Sequence, residues 1–176
     1  MRNHKQMKTG PRSGRIIVLA FLFLCPILTL LSGPVQARSD KPLHLSTGQV
    51  VYVPAYTHVY YTDTGKAFPL TTTLIIHNTD PREKIEVTSV RFHDAEGVLI
   101  RNYAEKPFSL APFAACDILV KDMGRIKGKG SGTCFVVTWQ AEKLVSLPII
   151  ECIIIGATSQ QGISFRTQGQ VVQELP

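Results

Sequence analysis

The stretch that settles the fold class is TTTLIIHNTDPREKIEVTSVRFH, residues 71–93. Thr71 to His77 is built of Thr, Leu and Ile, side chains that fit a pleated, half-buried surface. Asn78-Thr79-Asp80-Pro81 ends that run, because Pro81 biases Asp80 away from helix and Asn and Asp side chains satisfy turn backbone themselves. Ile85 to His93 resumes as a second strand. The same rhythm of short run and turn extends in both directions. Upstream lie Gln49 to Val53 and Thr57 to Tyr61, split by Pro54, which predicts an edge strand or a bend. Downstream, Asp94-Ala95-Glu96-Gly97 turns the chain into Val98 to Tyr103, and Pro107 to Pro112 reads as a short extended crossover. Ala115 to Lys121, Thr133 to Gln140, Leu147 to Ile155 and Ile163 to Arg166 complete the series, with Asp122 to Gly132 as a loop.

No window of helical length carries apolar residues at i, i+3, i+4 and i+7, whereas short runs with turn punctuation recur throughout. The expectation is an all-β chain: a single antiparallel β-sandwich of immunoglobulin-like type, with roughly seven to ten strands in about 130 residues. A small β-barrel is the alternative. Thr133, Phe135, Val137 and Trp139 share one face of their strand, which predicts Trp139 in the core and not on a ligand platform.

The 176 residues carry a formal charge of +6, which taken alone would point to nucleic acid. Its distribution removes that reading. Five of the nineteen Lys and Arg (Arg2, Lys5, Lys8, Arg12, Arg15) precede residue 38 and no acidic residue does, leaving fourteen cations against thirteen anions in the remainder. The basic head is followed by the apolar run Ile16 to Leu31 and by Ser32-Gly33-Pro34-Val35-Gln36-Ala37. That order reads as a signal peptide over residues 1–37, with Val35 and Ala37 at the two small-residue positions before cleavage. Residues 38–48 then form a polar N-terminal segment and 49–176 the β-sandwich domain. An uncleaved anchor is the competing reading. It is disfavoured by Pro26 within the run, which at sixteen residues falls short of the roughly 18 of a spanning helix. Leu24 before Cys25 speaks against a lipoprotein, and the separation of Arg12 from Arg15 against a twin-arginine route. The expected location is periplasmic or secreted, with contact to the membrane only through an uncleaved leader and no nucleic-acid partner.

Several segments, taken in order, resemble a bacterial family known as domain of unknown function 3124. They are Val51-Tyr52-Val53-Pro54-Ala55-Tyr56 with His58 and Tyr60-Tyr61, Ile76 to Pro81, Ser89 to Phe92, Gly130-Ser131-Gly132 before Phe135, and Gln161 to Phe165. The resemblance runs from about Gly48 to Gly169 and implies an exported single-domain protein with no activity or active site to carry over. The chain departs from the family's pattern in its cysteines at 116, 134 and 152, where small non-thiol residues are usual, and in Lys127 and Lys129. A role built on those cysteines would be peculiar to this protein.

The three cysteines after the leader stand 18 apart, too wide for a zinc ribbon and with no C-x-x-C pair. Strand parity turns Cys116 and Cys152 inward and Cys134 outward, so a Cys116 to Cys152 bridge across the sandwich is the one disulfide that parity allows, beside the plainer reading of buried thiols. His58, His77 and His93 all fall on strands and could ligate zinc or copper, but none stands in an H-x-H or H-E-x-x-H spacing. Ser131 between glycines leads into a strand, not the helix a nucleophile elbow needs, and Gly128 to Gly132 lacks a phosphate-loop spacing. Asp94 and Glu96 flank a turn, where acids gather anyway. No catalytic, cofactor or metal residue is therefore assigned. Tyr52, Tyr56, Tyr60 and Tyr61 gather around Pro54, and tyrosine's contact area and polar tip favour binding surfaces. The expected function is an exported, non-enzymatic binding or accessory module of the cell envelope, with an unknown envelope protein or ligand as partner. An envelope enzyme or metal-binding protein using His58, His77 or His93 is the alternative. A structural part of an envelope assembly would show an exposed apolar patch around the tyrosine edge.

Overall fold

The computed structural model describes residues 44–121, 130–158 and 161–176. The leader, its cleavage site, Cys25 and the lysines at 127 and 129 lie outside the described residues. The chain is all-β, with twelve strands and no helix among the described residues. They are β1 (Leu45–Tyr56), β2 (His58–Tyr60), β3 (Ala67–Pro69), β4 (Thr71–His77), β5 (Ile85–His93), β6 (Leu99–Asn102), β7 (Phe108–Leu110), β8 (Ala115–Leu119), β9 (Gly132–Ser146), β10 (Ile149–Ala157), β11 (Gly162–Gln168) and β12 (Gln170–Glu174). All pairings are antiparallel. A six-stranded sheet has the order β12-β1-β9-β5-β6, with β7 also on β5, and a four-stranded sheet has the order β11-β10-β4-β8. A hairpin of β2 and β3 stands apart.

Period-two burial makes the core. Thr133, Phe135, Val137 and Trp139 of β9 are buried, as their shared face predicts, and so are Leu74 and Ile76 of β4 and Ile150, Cys152 and Ile154 of β10. Residues of both sheets join in one apolar cluster. Two bulges reset the alternation where it would otherwise fail. One lies between Val87 and Ser89 of β5, and one between Ser46 and Gly48 of β1. The second explains why β1 begins at Leu45, four residues before the run that starts at Gln49. Ser46, Gly48 and Gln49 are buried across the bulge, so the stretch has no clean two-residue pattern to read.

Pro54 stands where one side of β1 is an unpaired edge, but it does not split the strand. β1 continues through it, flanked by both β12 and β9 as far as Tyr52 and by β9 alone at Pro54. The missing N–H costs nothing here. The β12 ladder on β1 ends at Tyr52, and the Pro54 carbonyl, which points to that same side, accepts from the Thr167 hydroxyl. Within the expected crossover Pro107 to Pro112, Phe108 to Leu110 pairs with β5 instead. β12, absent from the sequence reading, continues β11 beyond Gly169 and changes sheet there. A Cβ at Gly169 would lie 2.6 Å from Val51 Cγ1 and 2.9 Å from the Ile150 carbonyl, so only glycine lets the chain cross so close.

The Cys116 to Cys152 bridge is not formed: Cys116, Cys134 and Cys152 are free thiols. Both inward parities hold, but the two residues belong to one sheet and not to facing sheets. Cys116 sits opposite Ile76 and Cys152 opposite Leu74, with β4 between them. Two strand spacings come to roughly 9–10 Å, beyond the ~7 Å a disulfide can span.

One end of the fold is tied by Asn78, Thr79 and Asp80. The Asn78 amide donates to the carbonyls of Glu83, Leu110 and Ala111, and Thr79 Oγ1 donates to Leu147 O at 2.8 Å. Asp80 accepts from the backbone N–H groups of Arg82, Glu83 and Ser146, each at 2.9 Å. Three connections are thereby fixed to one turn: β4 to β5, β7 to β8 and β9 to β10.

Two outcomes follow for stability and thiol chemistry. The N–H groups of Ser146, Arg82 and Glu83 hold the Asp80 carboxyl below its ordinary value. A carboxyl whose folded pKa is lowered adds stability that is fully present above its unfolded value of about 3.9 and is lost as pH falls through the folded one. Asp80→Asn therefore makes urea stability fall less steeply between about pH 4 and pH 2 than in the wild type; an unchanged acid limb would contradict this. Burial, with the Asp117 charge, raises the Cys116 thiol; burial raises Cys134 and lifts Cys152 to about 12. A disulfide reagent at neutral pH leaves Cys152 untouched in the folded protein and reacts with Cys116, Cys134 and Cys152 alike after unfolding. Mobility without reductant matches that with it.

Candidate binding cleft

The hairpin is shaped by its turn. Tyr61 N–H donates to Lys66 O and Gly65 N–H to Thr62 O, with Gly65 in the left-handed region at φ 78. This sets Val59 opposite Phe68 and places the Tyr61 ring edge-on to Phe68, centroids 6.2 Å apart. Lys66 Nζ lies over the Tyr61 ring at 5.7 Å. The base of the hairpin is held at Thr57, whose N–H donates to Ser131 O and whose carbonyl accepts from Leu70 N–H. Phe68 itself is buried against Gly156, where a Cβ would come within 2.5 Å of its ring. Glycine at 156 is what lets the aromatic ring seat on β10.

Between this hairpin and the first residues of β11 lies a cleft of about 410 Å³, lined by Val59, Tyr61, Phe68, Gln161, Gly162 and Ile163. Its described walls are apolar apart from the Tyr61 hydroxyl and the Gln161 amide. No carboxylate, imidazole or thiol is among the lining residues, so the cleft is suited to holding an apolar or aromatic group and orienting it by one or two hydrogen bonds. β11 forms the free edge of its sheet, and Phe165 behind the cleft packs on Tyr56 with centroids 6.0 Å apart. A second concavity of about 380 Å³ includes Lys84, Glu86, Gln140 and Glu142 in its lining, but these are engaged with one another. Lys84 pairs with Glu142 at 3.2 Å, and Gln140 donates to Glu86 at 2.7 Å.

The four tyrosines do not act together. Tyr61 lines the cleft, Tyr60 stands exposed with its ring against His58 at 4.9 Å, and Tyr56 backs the seam with Phe165. Tyr52 points out from β1 beside the Cys134 thiol, and burial together with that thiol raises its pKa.

The histidines that sequence offers as metal ligands are scattered. His58 is in the hairpin, with Nδ1 at 2.9 Å from Thr57 Oγ1, and His77 is in the four-stranded sheet opposite Ala115 and Ile149. His93 is in the six-stranded sheet, its Nδ1–H donating to Gly97 O at 3.0 Å. Among the described residues no three His, Cys, Asp or Glu side chains gather as a metal site. Asp94 caps its own turn by accepting from the N–H groups of Glu96 and Val98. Phe68 escaped the sequence reading, and Gln161 entered it only within the resembling segment Gln161 to Phe165. Phe68 sits in a segment with no strand signal, and Gln161 carries chemistry only once a hairpin from elsewhere faces it.

The cleft joins two segments that carry the family resemblance, Val51 to Tyr61 and Gln161 to Phe165. None of the curated proteins matches the chain. A solved structure described as "Crystal Structure of Thermotoga maritima 1070" is similar at 11% identity and a TM-score of 0.38, over 72% of this chain and 97% of its own. That degree of likeness carries neither ligand nor role across. A family model matches residues 48–172, and the chain belongs to that family, described as protein of unknown function (DUF3124).

Proposed function

We propose that the protein is an exported, non-enzymatic binding module of the bacterial cell envelope, and that it holds an apolar or aromatic group of its ligand in the cleft between the β2–β3 hairpin and β11. The observation that carries this is the composition of the cleft: aromatic and aliphatic walls, two polar handles and no carboxylate, imidazole or thiol among the described lining residues. Such a site gives affinity by excluding water and specificity by a few hydrogen bonds. Export rests on the basic head, the apolar run and the small-residue stretch ending at Ala37. On the side of architecture, the same reading takes the two sheets as layers of an immunoglobulin-like sandwich, supported by the one apolar cluster they share.

Two measurements test the proposal. In fractionated cells the protein appears outside the cytoplasm with Arg38 as its first residue; retention in the cytosol with Met1 intact contradicts export. The fluorescent probe 1-anilinonaphthalene-8-sulfonate binds the folded protein, and Ile163→Arg or Tyr61→Ala weakens it about tenfold or more, the loss expected for one buried apolar side chain at ~1.5–3 kcal/mol. Leu99→Arg, on β6 of the other sheet, leaves the probe unaffected. Equal affinity in all three variants would remove the cleft from consideration.

A further inference from the structure

Among the described residues, three buried side-chain polar atoms meet no hydrogen-bond partner: His93 Nε2, Thr133 Oγ1 and Trp139 Nε1. Thr133 and Trp139 face the core, and an indole N–H can only donate. His93 differs from both. Because a carbonyl only accepts, the bond to Gly97 O places the ring proton on Nδ1 and leaves Nε2 as a bare lone pair out of water. A buried acceptor left unmatched costs stability. An imidazole whose other ring nitrogen is fixed on a backbone carbonyl is also the arrangement in which a histidine holds a metal ion.

The strand register supplies a second ligand. Phe92 and Phe135 pair on the inner face, so the next pair, His93 of β5 opposite Cys134 of β9, lies on the outer face of the six-stranded sheet. Side chains opposed in this way have Cβ atoms about 4.5–5.5 Å apart. Nδ1 is drawn to the Gly97 turn that leads into β6, and β6 and β9 lie on opposite sides of β5, so Nε2 is turned toward β9. From the other side of β9, Tyr52 of β1, diagonal to Cys134, hydrogen-bonds the sulfur. The half-buried sulfur thus has a hydroxyl donor on one side and an imidazole lone pair on the other.

The number of ligands selects the ion. Structural zinc takes four ligands in a tetrahedron, and no third His, Cys, Asp or Glu joins these two among the described residues. Copper(I) is soft, prefers thiolate sulfur and accepts two ligands in line. A thiolate and a monovalent ion also cancel, so the half-buried face gains no net charge.

We propose that Cys134 and His93 bind one copper(I) ion on the outer face of the six-stranded sheet, with the Tyr52 hydroxyl bonded to the sulfur. On binding, the Cys134 S–H bond breaks, its proton passes to solvent and an S–Cu bond forms. His93 Nε2 gives its lone pair to the opposite side of the ion, and copper keeps its oxidation state. The site shares no residue with the cleft. The test supplies copper(I) without oxygen, as its coloured bicinchoninate complex, to the protein expressed from the full chain. The wild type withdraws one ion per chain, and X-ray absorption at the copper edge shows one sulfur and one imidazole nitrogen. Cys134→Ser and His93→Asn, each shown to be folded by circular dichroism and Trp139 emission, lose the ion. Tyr52→Phe holds it about tenfold more weakly, as loss of an outer-shell partner does, and Cys116→Ser holds it as the wild type does. A wild type that withdraws no copper overturns the proposal. So does uptake that survives Cys134→Ser or His93→Asn, a copper edge with two sulfurs, or zinc retained in copper's place.

Discussion

Burial of the inward row of β9 is the contact on which the rest of the molecule depends. Phe135, Val137 and Trp139 have no exposed surface, and they sit on the strand that pairs with both β1 and β5. Each such side chain removed from water contributes about 1.5–3 kcal/mol, and truncating an aromatic there costs roughly 3–5 kcal/mol because the cavity does not collapse. The opposing row from β4 and β10 completes the same cluster, so neither sheet keeps its inner face dry without the other. The bulges in β1 and β5 serve that requirement. Each shifts parity by one residue so that apolar side chains stay on the inner face after the strand twists.

The cleft is a consequence of how β1 and β11 meet along one side. β12 covers β1 only as far as Tyr52, and beyond it the exposed side of β1 meets β11 through the Thr167 hydroxyl and the Phe165 ring, not through a ladder. Backbone pairing stops there, and the hairpin folds over the gap. Gly156 and Gly169 are the two points where that arrangement leaves no room for a side chain. Asn78, Thr79 and Asp80 tie three loops together, and Asn78 also holds the end of β7 and the entry to β8.

Strand composition and turn chemistry were readable residue by residue. The run Thr71 to His77, its stop at Asn78-Thr79-Asp80-Pro81 and the shared face of Thr133, Phe135, Val137 and Trp139 are all present as read. Pro54 is legible as an edge position, but its strand reads as split there, because no sequence shows where the neighbouring strand ends. The cysteines misled for a related reason. Parity tells which face a side chain takes, but not which sheet its strand joins.

What the sequence determined by itself is therefore the local part: an all-β chain, its turns, the inward rows and an apolar head followed by small residues. These follow from backbone stereochemistry and from the two-residue period of a strand, which act over a few neighbours. Tertiary structure alone decided which strands share a sheet, that Cys116 and Cys152 stand too far apart to bond, that His58, His77 and His93 stay separate, and that Tyr61 and Phe68 face Gln161 and Ile163 across a cleft. Such pairings join residues as much as a hundred positions apart, and the free energy that selects them resides in the shared core and not in any local stretch.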